Sequence, residues 1–155
     1  MRIAIISDTH GLLRPEAITH LQGVEHILHA GDVGKPAILE ELQTIAPVTA
    51  VRGNVDRGPW AESLPITQAV ELGGKLFFMI HILDDLDIAP EAADVDVVVF
   101  GHSHKPADYF KQGVRYLNPG SAGPRRFSLP ISLMLIDIED DIHVHLIDLS
   151  QQLNP

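Results

Sequence analysis

Residues 2–11 read Arg2-Ile3-Ala4-Ile5-Ile6-Ser7-Asp8-Thr9-His10-Gly11. A short apolar run breaks off into serine, aspartate, histidine and glycine. A continuous run of this length suits a strand buried on both faces. The polar cluster cannot share that burial, so it belongs at the strand's carboxyl end. The same order of residue types recurs along the chain. His26–His29 is followed by Gly31-Asp32, and Pro47–Val51 by Gly53-Asn54. Lys75–Ile80 is followed by His81, and Asp94–Phe100 by Gly101-His102-Ser103-His104. Ligands collect outside the carboxyl ends of strands in α/β sheets. Parallel neighbours would therefore bring these five polar ends to one rim.

The segments between the strands complete an α/β pattern. Pro15–Leu21 has a proline at a helix start, and Lys35–Ile45 carries Ile38, Leu39, Leu42 and Ile45 at helical spacing. Ile66–Leu72 and Lys75–Ile80 read as a hairpin around Gly73-Gly74. Short strands at Tyr109-Phe110 and Val114–Leu117 follow, then Ile131–Ile138 and Ile142–Leu149 around a polar turn. The expectation is one domain over residues 1–155. It has two packed sheets flanked by helices, the second sheet largely antiparallel.

Composition narrows the chemistry. With no cysteine, a disulfide scaffold, a thiol nucleophile and a zinc–thiolate site are all excluded. Eleven Lys and Arg against 21 Asp and Glu give a formal charge of −10, which opposes broad binding to nucleic acid or anionic lipid. It does not oppose a local anion site, because bound cations add charge that the count omits. No apolar run approaches the ~18 residues of a membrane span, so the expected location is cytoplasmic. The hairpin over residues 131–149 has an edge that leaves a homo-oligomer open.

The polar strand ends are carboxylate, imidazole and amide, without sulfur. That set suits Mn²⁺, Fe²⁺, Zn²⁺, Co²⁺ or Ni²⁺. Seven donors exceed what one catalytic ion with an open position takes, and suit two ions about 3.5–4 Å apart. Asp32 is the candidate bridge. Asp8, His10 and His104 complete one site; Asn54, His81 and His102 complete the other. Taken singly, each fragment has a plainer reading. Asp8 could cap a turn, Gly53-Asn54 could be a turn with Asn at positive φ, and His102 and His104 could be solvated. It is their order, each at a strand end and most beside glycine, that favours a metal centre.

Ser7-Asp8-Thr9-His10-Gly11, Gly31-Asp32, Arg52-Gly53-Asn54-Val55-Asp56, His81 and Gly101-His102-Ser103-His104 together resemble the ordered signature of calcineurin-like metallophosphoesterases. The short chain and Asn118-Pro119-Gly120-Ser121 are similar to the small YfcE-type phosphodiesterase subgroup. The resemblance implies a four-layer αββα sandwich with a dinuclear centre built from the seven residues above, manganese first among the metals. It also implies hydrolysis of a small phosphate ester by a metal-bridging hydroxide, with Asp32, Asn54 and His81 acting through metal and phosphate positioning. The alternatives are a phosphomonoesterase, or a protein-interaction module on the same scaffold, as in the retromer subunit.

Two positions depart from the family pattern. Val55 stands where many members place a histidine that can protonate the leaving group; the small subgroup also lacks it. Ile82 stands where glycine commonly follows the His81 ligand. A β-branched residue disfavours the backbone that glycine would allow, so the mouth of the site is expected to differ there. Arg52 and Arg125 are the candidate substrate contacts, because guanidinium groups suit phosphate. Asp56 is expected to orient a ligand or its turn. His143 and His145 are expected to face solvent, and Pro59 and Trp60 to be ordinary core or surface residues.

Overall fold

The computed structural model describes residues 1–150; the last five residues of the expected 1–155 domain lie outside it. Chain order gives β1 (Arg2–Ile6), α1 (Pro15–Leu21), β2 (His26–His29), α2 (Pro36–Gln43), β3 (Val48–Ala50) and α3 (Pro59–Glu62). There follow β4 (Thr67–Leu72), β5 (Lys75–Ile80), β6 (Val97–Val99), β7 (Ala107–Lys111), β8 (Val114–Asn118), β9 (Ser132–Ile138) and β10 (Ile142–Asp148). One sheet has the order β10-β9-β1-β2-β3 and the other β4-β5-β6-β8-β7.

In the first sheet β1, β2 and β3 are parallel, and β9 closes antiparallel on β1. The second sheet departs from the expectation of a largely antiparallel one. Its centre, β5-β6-β8, is parallel, and only the outer pairs β4-β5 and β7-β8 are antiparallel. The hairpin turns at Gly73-Gly74 and Gln112-Gly113 correctly signal the outer pairs. They carry no information on how the pairs join. Residues 81–96 join β5 to its parallel neighbour β6, and residues 100–113, β7 among them, join β6 to its parallel neighbour β8; these are the long connections that parallel pairing requires.

Strand alternation builds three apolar layers. Ile3 and Ile5 point between the sheets to meet Leu28, Phe77, Met79, Val97, Val99 and Met134. Ala4 and Ile6 point to the other face, against Ala17 and Leu21 of α1 and Ile38 and Leu42 of α2. Both helices carry proline at their first positions, where its fixed φ fits and no amide donor is lost. The outer face of the second sheet is covered thinly. Leu83 and Leu86, from a 3₁₀ turn and its end, pack there with Ile80, Val98, Phe100 and Tyr116. The sandwich is therefore αββα with one substantial helical layer and one reduced to turns. Trp60 on α3 packs against the helical-side core. No helix among the described residues is long and apolar enough to cross a membrane.

Phe77 is fully buried between the sheets. Phe77→Ala should cost roughly 3–5 kcal/mol through lost burial and a residual cavity. Chemical denaturation of the metal-free protein should show that loss in the midpoint with the slope unchanged.

Candidate metal centre

Five parallel strand ends meet at one rim of the sandwich. β1 delivers Asp8 and His10, β2 delivers Asp32, and the loop after β3 delivers Asn54. From the second sheet, β5 delivers His81, and β6 delivers His102 and His104. The loops that carry them are laced together by backbone bonds. Asp8 N–H donates to Gly31 O (3.0 Å), His10 N–H to Asp32 O (2.9 Å) and Gly101 N–H to His81 O (3.0 Å).

The candidate ligands cluster in two triads. The donor atoms of Asp8, His10 and His104 lie within 4.8 Å of one another, as do those of Asp32, His81 and His102. Asn54 Oδ1 sits 3.1 Å from His81 Nε2 and 3.1 Å from His102 Nδ1. Asp32 stands between the groups, with its Oδ2 3.2 Å from His81 Nε2 and 3.6 Å from His10 Nε2. The two triads differ in exposure: Asp8, His104, Asp32 and His81 are buried, whereas His102 and Asn54 face solvent.

Whether this set suits cations is decided by atoms that lack partners. Asp8 Oδ1 is buried and accepts no hydrogen bond among the described residues. Around it stand His104 Nε2 at 3.4 Å, His10 Nε2 at 3.7 Å and His81 Nε2 at 3.8 Å. His10 Nε2 and His104 Nε2 face each other at 3.3 Å. Two imidazole nitrogens on a tetrahedral ion with ~2.1 Å bonds lie roughly 3.4 Å apart, so the spacing is that of ligands converging on one cation. The tautomers agree where they can be read. His81 Nδ1–H donates to Ala30 O (2.7 Å), which leaves its Nε2 lone pair directed at the cluster.

Charge in the metal-free site is arranged to the same end. Burial alone would push the Asp8 carboxyl up. The imidazoles of His10 and His104, with His81 and Ser7, override burial and hold it well below the usual carboxylate range. Burial also opposes ionised Asp32, and there His81 and the Val55 amide prevail and lower it. The His10 imidazole is raised, first by Asp8. Burial would lower His81, but Asp32 and Asp8 raise it. Imidazoles and carboxylates thus favour one another's charged forms in the metal-free site.

The backbone is bent to make this possible. Eight non-glycine residues among those described have positive φ, and five of them are candidate ligands: Asp8, His10, Asp32, His102 and His104. Strain so concentrated marks a site held by its surroundings. Two glycines let the loops touch. A Cβ on Gly53 would collide with the Asp32 backbone nitrogen and Oδ1. One on Gly101 would collide with Ser7 Oγ and Asp8 Oδ2.

The remaining expected residues take distinct places. Asp56 is buried and ties two loops together. Its carboxylate accepts from Gly53 N–H (2.9 Å), Gly34 N–H (2.9 Å) and Val33 N–H (3.2 Å). Arg52 lies beside Asn54 and His81, whereas Arg125 lies beside His10 and His104. Val55 is exposed and donates its amide to Asp32 Oδ1 (3.0 Å). Ile82 has φ −106° and ψ 110°, an ordinary extended conformation that a β-branched residue adopts readily. His143 and His145 face solvent, with His145 against Asp137.

Sequence reading missed the residues that hold the ligands. Ser7 Oγ–H donates to Asp8 Oδ2 (2.7 Å), and His102 N–H donates to the same oxygen (3.1 Å). Ser121 Oγ–H donates to Asp8 O (2.9 Å), and Asn118 Nδ2–H to Gly101 O (3.1 Å). The available signal was Asn118–Ser121 at the end of β8, a further parallel strand aimed at the same rim. His29 is fully buried behind the site. It accepts from Gly31 N–H at Nδ1 (3.1 Å), so its Nε2–H donates to Thr9 Oγ1 (2.9 Å). Thr9 Oγ1–H in turn donates to Val33 O (3.0 Å).

A sequence profile of the calcineurin-like phosphoesterase superfamily domain matches residues 1–141. A probable metallophosphoesterase of Methanothermobacter thermautotrophicus is 36% identical over 153 residues, covering 91% of this chain and 88% of the relative. The structure of YfcE, a phosphoesterase from E. coli, superposes with a TM-score of 0.71 at 26% identity, covering 88% of each chain. Vps29 of Chaetomium thermophilum superposes with a TM-score of 0.78 at 22% identity, covering 95% of this chain and 97% of the other.

Two outcomes follow from the supporting bonds. Asp56→Ala strands two buried amides, those of Val33 and Gly53, and a part-buried one, that of Gly34, and should cost roughly 3 kcal/mol, with weaker divalent-metal uptake in the same variant, both read by thermal melts with and without metal. Burial pushes His29 down to about 4, since its protonation would displace the Gly31 amide. The folded protein therefore resists a proton that the unfolded chain accepts. Stability from this group is full above about pH 6.5 and falls by roughly 3 kcal/mol as pH drops towards 4. In metal-free protein, His29→Leu should flatten that acid limb relative to the parent.

Proposed function

We propose, for a chain that belongs to the calcineurin-like phosphoesterase superfamily, a dinuclear metal-dependent phosphodiesterase. The observation that carries the reading is the buried Asp8 Oδ1, unpartnered among the described residues and ringed by three imidazole nitrogens. Asp8, His10 and His104 would hold one divalent ion, Asn54, His81 and His102 the other, with Asp32 shared. When bound, two such ions lower the pKa of coordinated water towards neutrality and neutralise charge on a phosphoryl group. Manganese is the first candidate; Fe²⁺, Zn²⁺, Ni²⁺ and Co²⁺ fit the same donors.

The chain's own residues set geometry rather than transfer protons. His81, fixed by Ala30 O, keeps a lone pair on Nε2. Asp32 is held by the Val55 amide, and Asp8 by Ser7 and the His102 amide. Arg52, beside Asn54 and His81, and Arg125, beside His10 and His104, would meet phosphate oxygens. Val55 has no proton to give a leaving group. That favours esters whose leaving groups depart unaided.

Chelator-stripped protein should regain cleavage of bis-p-nitrophenyl phosphate on addition of Mn²⁺, and Asp32→Asn should abolish it. The monoester p-nitrophenyl phosphate, run beside it, should be the poorer substrate; the reverse preference would keep the metal site and overturn the diester assignment. Across aryl diesters, the rate should fall steeply as leaving-group pKa rises. Metal binding should also release protons. His10 and His81 are raised in the metal-free site, so incoming ions displace more protons at about pH 6.5 than in alkaline solution. Calorimetry in buffers of different ionisation enthalpy should show that difference, with affinity rising as pH rises.

A further inference from the structure

The rim that carries the two triads opens into two recesses of unlike chemistry. One, of about 190 Å³, lies against Asn54 and His81 and is walled by Ile66, Ile80 and Ile82, with Arg52 and Asp85 at its edge. The other, of about 220 Å³, lies against His10 and His104 and is formed by Pro124, Arg125 and Arg126. Each thus borders a different triad.

The first recess is apolar for a reason that its own packing does not supply. Ile66 is 52% exposed, on a segment tied to the site by the Arg52 N–H bond to Pro65 O (2.8 Å). Ile82, in relaxed extended backbone, adds a second aliphatic wall directly after His81. Arg52 Nε is buried without an acceptor among the described residues. That atom is sealed from solvent, so what the recess itself offers is apolar walls, a site for a mostly apolar group. The size agrees, since a cavity of about 150 Å³ admits a benzene ring. Because Asn54 and His81 themselves line the recess, its occupant is the group esterified directly to the phosphate.

The second recess carries two adjacent arginines in a chain with only 11 Lys and Arg against 21 acidic residues. Guanidinium pairs suit carboxylate and phosphate.

We infer that the substrate is an asymmetric phosphodiester. One ester arm is a ring-sized apolar alcohol, aryl in character, seated between Ile66 and Ile82; the other carries a further anionic group, met by Arg125 and Arg126. The inference rests on the phosphodiesterase reading and narrows its substrate class.

Binding of non-hydrolysable phosphonates to the Mn²⁺-loaded protein, freed of excess metal and followed by calorimetry, separates the two claims. Phenylphosphonate should bind roughly tenfold tighter than methylphosphonate, as a hydrophobic pocket of this size allows. That advantage should vanish in Ile82→Gly and in Ile66→Ser, the latter at an exposed position that does not threaten folding. Phosphonoacetate should also exceed methylphosphonate, and should lose that margin in the Arg125→Ala/Arg126→Ala double variant and in high salt. Equal binding of phenylphosphonate and methylphosphonate would overturn the apolar arm. An unchanged phosphonoacetate margin in the double variant would overturn the anionic arm. If the loaded protein failed to cleave bis-p-nitrophenyl phosphate, the phosphodiesterase reading itself would fall, and this inference with it; if it cleaved the diester yet bound none of the phosphonates, this inference alone would fall.

Discussion

The structure depends on holding two carboxylates, Asp8 and Asp32, buried and side by side at the rim of a sandwich. A buried charge is tolerated only when paired or satisfied. Asp8 meets the demand in an uneven way. Its Oδ2 accepts from Ser7 and the His102 amide, while Oδ1 faces only imidazole nitrogens at 3.4–3.8 Å. One half of the carboxylate is fixed by the protein and the other is left for a cation. That division sets what the loops must do. They must bring three imidazoles, those of His10, His81 and His104, around the free half without filling it.

Doing so has a conformational cost. Five ligands in left-handed backbone cost about 1 kcal/mol or more apiece, which together is comparable with the whole stability of an ordinary domain. Such strain persists only where the surroundings over-determine it. The double-layered core supplies that rigidity, through strands whose alternate residues face the helices and the second sheet. Asp56 supplies the local part, binding amides on both the Asp32 and Asn54 loops. Divalent ions, where bound, would offset the rest, which makes this a protein whose stability and metal content are linked.

The donors were legible in sequence because each ends an apolar run, and an apolar run fixes both a strand and the end that must be polar. Asp8, Asp32 and His81 are of this kind. The first sheet's parallel core was legible from alternating strands and helices. The second sheet was not. Hairpin turns identify neighbours within a pair, but pairing between Val97–Val99 and Val114–Asn118 depends on a tertiary choice that no local residue records. Ser7, Asn118 and Ser121 were hidden for a related reason. A short polar side chain reads as a turn or cap until the strand across from it is known. Ile82 is instructive in the other direction. Side-chain branching disfavours the backbone that glycine would allow, and the chain leaves β5 in an extended conformation that suits isoleucine, whose side chain lines the recess beside His81.

Net charge then separates the classes of anion the site can meet. The chain's formal charge of −10 opposes a polyanion lying along its surface. A small phosphate ester meets only the rim. There, two divalent ions held as proposed by Asp8 and Asp32 would leave two net positive charges, since four positive charges offset two negative ones. Arg52 and Arg125 add to that field from either side. With a Debye length of about 8 Å at physiological salt, the rim is felt at contact while the remote surface is screened. An acidic protein can therefore select a compact phosphate ester and still reject nucleic acid, with no need for a basic patch beyond the site itself.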